Sequence, residues 1–228
     1  MKLPTIILSA LVILLFASCA DEKESTEPKV VQKEVIKPIQ KVEKRWDSLK
    51  SHNVNAFLRA YAKNNKETLV QITTNFGIIK LRLYNNTPLH RANFIFLTKI
   101  NYFNSTVFYR VAKNFVIQGG NSDEEYTLKL RNRYGNYLIE PEFRSNRKHK
   151  YGALAAAREW EFNPKKLSSP FEFYIVQNKK GAPHLDNEHT VFGEVISGFE
   201  TMEKISKIEV GIDEWPKVDV RMKVKIIE

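Results

Sequence analysis

The chain has 228 residues, with 36 Lys or Arg against 26 Asp or Glu, a formal charge of +10, and 43% hydrophobic residues. That length and apolar content are ordinary for one well-buried domain with appendages. The positive balance suits an acidic surface, but no zinc-ligand spacing and no Walker or zinc-finger pattern accompanies it, so nucleic acid is not an expected partner.

At the N-terminus Lys2 precedes an apolar run from Ile6 to Phe16 that ends in small residues before Cys19. This reads as an export signal, too short for a membrane span. The ending "LFASC" resembles a bacterial lipobox. The resemblance implies that residues 1–18 are a removed signal peptide and that Cys19 becomes a lipid-bearing first residue. Cys19 is the sole cysteine, so no intrachain disulfide can form. Stable anchoring takes more than one acyl chain, and the expected location is the bacterial cell envelope, periplasmic side or outer membrane. Residues 19–44 carry both charges, Pro28 and Pro38, and no aromatic residue. They cannot bury enough apolar surface to offset chain entropy and read as a flexible tether.

Between residues 45 and 66, Trp46, Leu49, Val54, Phe57, Leu58 and Tyr61 recur at mostly helical spacing, which predicts a helical extension leaning on the main domain. From Leu69 the period changes to two. "LVQITT" and "GIIKLRLY", joined through Asn75, Phe76 and Gly77, predict a hairpin. In "TPLHRANFIFLTKI" Thr87 is placed as an N-cap and Pro88 as the first helical residue, with Leu89, Ala92, Asn93, Phe96, Leu97 and Ile100 on one face. A second helix is expected in "SGFETMEKISKI". Val218 to Ile226 alternate apolar and charged residues, as a half-buried strand does. Many short strands with two helices in the main domain favour a closed antiparallel barrel or a sandwich.

"VFYRVAKNFVIQGG", residues 107–120, sets one arginine and one glutamine among aromatic and β-branched residues. Folded into a hairpin centred on Asn114, it puts Arg110 and Gln118 opposite each other on one face, beside an apolar wall from Phe115 and Val116.

This run resembles the F-x-R-V-x-x-x-F-x-x-Q-G-G signature of cyclophilin-type peptidyl-prolyl cis-trans isomerases. The resemblance continues in order through "GALAAAR", "FEFYIV" and "HLDNEHTVFGEV" and covers roughly residues 67–228. Four motifs in order are highly specific. The resemblance implies a mainly β fold, a closed eight-stranded antiparallel barrel with two capping helices, and isomerase activity on X-Pro bonds without metal or organic cofactor. It implies Arg110, Phe115, Gln118 and His189 as catalytic residues, and Val116, Ala157, Arg158, Tyr174 and Leu185 as the substrate-binding wall. Val116, Tyr174, Arg158 and His184 stand where the family more often has methionine, phenylalanine, asparagine and tryptophan.

The expected partners are proline-containing unfolded or partly folded polypeptides, together with the membrane through the lipid anchor, and the protein is expected to act as a monomer. His184, Asp186, Glu188 and His189 lie close in sequence, but a two-histidine loop without a further ligand reads as surface polarity or a pocket histidine rather than a metal site. The competing functional reading is a binding or chaperone module on the same fold that captures proline peptides without turnover.

Overall fold

The computed structural model describes residues 49–227. The expected signal peptide, Cys19, the expected tether and Trp46 lie outside the described residues. Among the described residues no helix is long and apolar enough to cross a membrane.

Among the described residues eight strands form one antiparallel sheet: β1 (Leu69–Thr74), β2 (Gly77–Leu83), β3 (Val107–Ala112), β4 (Val116–Asn121), β5 (Ala153–Ala156), β6 (Phe173–Val176), β7 (Val191–Ser197) and β8 (Met222–Ile226). Their order across the sheet is β3-β4-β6-β5-β7-β2-β1-β8. The β1–β2 hairpin pairs Leu69 with Arg82 through to Thr74 with Gly77, with Asn75 and Phe76 at its tip. Gly77 sits at φ +132, a backbone that a residue with a Cβ rarely adopts.

Closure into a barrel is not what the sheet does. Its two edges, β3 and β8, share one isolated bridge, Val107 with Arg221, flanked by Phe108 N–H to Val220 O at 2.9 Å and Met222 N–H to Thr106 O at 3.2 Å. The ladder stops there because β3 shifts register between Val107 and Arg110, and such bulges bend a strand away from its neighbour. Beyond the bulge a loop covers the edge, with Val111 N–H donating to Glu214 O at 2.9 Å. The result is an open, curled sheet. The same geometry shortens the last strand. Val218 is exposed and Val220 turns toward β3, so the regular alternation begins only at Met222.

The two expected helices are present as α2 (Pro88–Lys99) and α4 (Phe199–Ile205), preceded by α1 (Val54–Asn64) in the N-terminal stretch and joined by an unexpected α3 (Glu125–Tyr134). Helix α2 is buried on almost every side rather than on one face, from Leu89 through Thr98. The reason is α1, which lies along it: Phe57 and Tyr61 set their rings edge-on to Phe96 at 5.3 and 5.6 Å. Buried Arg91 donates to the carbonyls of Asn65 (2.7 Å), Ala62 (3.3 Å) and Glu67 (3.3 Å), occupying acceptors that a helix end leaves open.

Thr87 is not the side-chain cap of α2. Its hydroxyl donates back to Tyr84 O. The N–H groups of Leu89 and His90 instead meet the buried carboxylate of Glu142, at 3.1 and 3.0 Å. An anion at a helix N-terminus is favourable, and this one arrives from a distant loop. Beneath α2 the core is aromatic, with Phe94 against Phe103 at 4.6 Å and Phe173 edge-on to both.

Candidate active site

Strands β3 and β4 make the hairpin that the sequence pattern implies, with Arg110 paired to Gln118, Val111 to Ile117 and Ala112 to Val116. Asn114 takes the turn at φ +57, a conformation asparagine tolerates. The two glycines that end the run serve close packing. A Cβ on Gly120, at φ +96, would lie 2.0 Å from Phe171 O. The Gly120 carbonyl accepts from the Tyr102 hydroxyl at 2.8 Å. From β4 the register carries to β6, where Gln118 faces Tyr174, and then to β5, where Ala155 faces Tyr174.

A cleft of about 480 Å³ opens over this part of the sheet. It is lined by every residue implicated above: Arg110, Phe115, Val116, Gln118, Ala157, Arg158, Tyr174, Leu185 and His189. His184 and Trp160 complete the lining. His184 stacks on Phe115 at 5.5 Å and Trp160 stands edge-on to His189 at 5.2 Å. Trp160 has no sequence signal, since it lies in a loop with no periodicity.

Arg110 is half-buried and held from two sides. Its Nε–H donates to Glu214 Oε2 at 2.7 Å and Nη1 donates to Gln118 Oε1 at 3.3 Å. Gln118 Nε2 in turn donates to the Tyr109 hydroxyl, which donates to Glu172 Oε2 at 3.1 Å. Glu172 is paired with Arg131 at 2.7 Å. Burial, and then the Glu172 carboxylate, push the Tyr109 phenol far above its ordinary range, so it remains a protonated link. Glu214 and Tyr109 escape sequence reading: one lies far along the chain and the other looks like ordinary strand filling.

Arg158 reaches the cleft with three of its five N–H donors already engaged. Nε and Nη2 bond Glu188 O and Oε2, both at 2.7 Å, Nη1 bonds Glu159 O at 3.1 Å, and the guanidinium lies 4.1 Å from the centre of the Trp160 ring. The Ala157 main chain is likewise engaged, N–H to Glu172 O and C=O from Ser169 N–H. Asp186 pairs with His149 at 2.9 Å and Lys148 at 3.3 Å, while Glu188 pairs with Lys166 as well as Arg158. Among the described residues no three His, Cys, Asp or Glu side chains converge as a metal site.

The hydroxyl of Tyr174, absent from phenylalanine, is satisfied by His149 Nε2 at 3.0 Å. His189 Nδ1 lies 3.0 Å from Ala156 O, a group that only accepts, so Nδ1 carries the proton of the neutral ring.

Burial pulls the His189 pKa down to about 4, helped by nearby Arg158 and opposed by its bond to the Ala156 carbonyl. Burial moves His149 in the same direction. The unfolded chain therefore binds these protons first, and stability falls as pH drops from about 6.5 toward 4. The shift at His189 corresponds to about 3 kcal/mol. Urea unfolding measured between pH 7 and 4 should show that slope, and His189→Gln should remove most of it; an unchanged slope would place the titration elsewhere.

The site thus sets a charged, planar donor beside an apolar cleft of aromatic and aliphatic walls. The family model described as "Cyclophilin type peptidyl-prolyl cis-trans isomerase/CLD" matches residues 69–226. A "Peptidyl-prolyl cis-trans isomerase" of Acinetobacter baylyi is 34% identical over 143 residues, 62% of this chain and 73% of the relative. "Peptidyl-prolyl cis-trans isomerase-like 2" of Rhizopus delemar is 33% identical over 72% of this chain, which spans only 29% of that longer protein. The crystal structure of a Cryptosporidium parvum cyclophilin type peptidyl-prolyl cis-trans isomerase superposes with a TM-score of 0.59 at 25% identity, covering 71% of this chain and 98% of that one. Motif order, sheet topology and these likenesses agree: the chain belongs to the cyclophilin-type peptidyl-prolyl cis-trans isomerase family.

Proposed function

We propose that this protein accelerates rotation about X-Pro bonds in exported or envelope polypeptides, assisting their folding, and acts as a monomer tethered by a lipid on Cys19. The observation that carries the catalytic reading is Arg110, anchored at Nε and Nη1 and lining an apolar cleft with Phe115 and Leu185.

An X-Pro bond resists rotation because the nitrogen lone pair is delocalised into the carbonyl, a barrier of about 18–20 kcal/mol. At the top of that barrier the amide is twisted and the nitrogen has regained its lone pair. A guanidinium N–H aimed at that nitrogen binds the twisted state better than the planar one, and only such differential binding raises the rate. Arginine stays charged and offers a rigid fork of donors. The pocket formed by Phe115, Val116 and Leu185 holds the proline ring while the preceding carbonyl turns.

A hundred-thousandfold acceleration requires about 7 kcal/mol. A charge-assisted hydrogen bond supplies about 1.5–3 kcal/mol of that, leaving the remainder to positioning and exclusion of water. The decisive measurement uses the full chain with short peptides containing one X-Pro bond, following cis-trans exchange and binding together. Acceleration supports the enzyme; binding without acceleration would make the protein a capture module on the same fold.

The envelope location rests on the apolar run before Cys19 and on the absence of any other cysteine. Replacing Cys19 by serine should abolish lipid labelling and shift the protein from the membrane to the soluble fraction or leave it unprocessed. Unchanged fractionation would refute the anchor.

A further inference from the structure

The geometry points to Glu214 as a positioning residue for Arg110, a role that rests on the catalytic reading of Arg110 and deepens it. Glu214 is carried by the loop between α4 and β8, and two contacts hold that loop against β3 while a third braces the loop itself. The Glu214 carbonyl accepts from Val111 N–H at 2.9 Å. Trp215 packs on Tyr109 with ring centres 5.6 Å apart. The loop closes on itself through Gly211 N–H to Trp215 O at 2.8 Å and Glu214 N–H to Gly211 O at 3.1 Å. The carboxylate therefore meets Arg110 from a braced support.

Glu214 also occupies a backbone site that does not suit it. Its φ is +63, in the left-handed region where glycine and asparagine are at ease and glutamate is not. Backbone strain of this kind in a non-glycine residue clusters at functional sites. What the side chain does is take the Nε–H of Arg110 at 2.7 Å, while Gln118 takes one N–H at Nη1 at 3.3 Å. Of the five guanidinium N–H donors these contacts use two, one at Nε and one at Nη1. Among the described residues Nη2 has no hydrogen-bond partner, and Arg110 lines the cleft.

Held at two corners, a planar group has lost its freedom to rotate before substrate arrives. The cost of ordering a long side chain is then not charged against the twisted amide. The pair is partly open to water, 35% and 41% exposed, so the attraction between its charges is screened and the contact acts mainly by position. Glutamate does by reach what a shorter residue in that loop cannot.

Two variants separate reach from charge and from folding. Glu214→Asn suits the left-handed backbone but is too short to meet Nε; Glu214→Gln keeps the reach and an accepting oxygen without the charge. On a short peptide with a single X-Pro bond, Glu214→Asn should lower kcat about fivefold, the scale of one half-exposed ion pair. Its KM should be unchanged and its Tm equal to or above that of the wild type. Glu214→Gln should stay within about twofold of wild type in kcat, because its oxygen still accepts the Nε–H. Wild-type kcat in Glu214→Asn would overturn the proposal, and so would equal losses in both variants, which would make charge rather than reach the operative property. An inactive wild type would instead sink the catalytic reading of Arg110, so the two failures are distinguishable.

Discussion

Replacing Arg110 with alanine is expected to reduce kcat/KM for X-Pro isomerisation by about 10²–10³-fold, the usual effect of deleting a preorganised donor to developing charge. Peptide binding should fall far less, because the apolar walls from Phe115, Val116 and Leu185 remain. Stability should fall by no more than about 1 kcal/mol, since the orphaned Glu214 is 41% exposed and can be hydrated. Arg110→Lys should recover little. An ammonium keeps the charge and has three N–H donors, but they radiate from one nitrogen and lack the planar spread that lets arginine meet Glu214, Gln118 and a substrate at once. Exchange spectroscopy on a short proline peptide, with a thermal melt of each variant, checks both halves. The other guanidinium at the cleft, Arg158, is held in a different position by Glu188 and Glu159. Near wild-type turnover in Arg110→Ala would remove Arg110 from the mechanism.

A chain that begins at residue 67 should be severely destabilised compared with one that retains α1. Val54, Phe57, Leu58 and Ala62 are all buried in the common core. At roughly 1.5–3 kcal/mol for each large side chain, their loss removes about 5 kcal/mol or more. A typical domain has only about 5–15 kcal/mol in total. Removing α1 also uncovers Phe96 and strips the Ala62 and Asn65 carbonyls from Arg91, leaving a buried guanidinium poorly paired. The melting temperature should drop by at least about 10 °C, and poor solubility is the expected symptom. Leu58→Ala in the full chain tests the same packing with less disruption and should cost about 2–5 kcal/mol. Equal melting temperatures with and without α1 would show that the helix contributes nothing to the core.

The way α1 meets α2 also shows why one prediction from periodicity came out differently. Spacing assigned α2 a single apolar face, and Phe94 and Ile95 fall outside it, yet both are buried. A helix covered on a second side has no polar face for a pattern to reveal. Helix α3 was illegible for the opposite reason: only Thr127 and Leu130 of its residues are buried, so there is too little apolar stripe to read. Thr87 and Pro88 marked the correct start for α2, but the true anion at that terminus, Glu142, comes from elsewhere in the chain.

What the sequence determined by itself was local: the β1–β2 hairpin, the placement of α2 and α4, and above all the pairing of Arg110 with Gln118. Strand period and turn length set that register, and both are properties of a dozen consecutive residues. The ordered family motifs extended the reading to Ala157, Arg158, Tyr174, Leu185 and His189, which the curl of the sheet brings to one cleft. Only the tertiary structure decided that the sheet stays open between β3 and β8, that Trp160 walls the cleft, and that Glu214 grips Arg110. Each of these depends on where a bulge turns a strand and where an irregular loop then runs, so it is settled by packing between distant segments and leaves no period in the residues themselves.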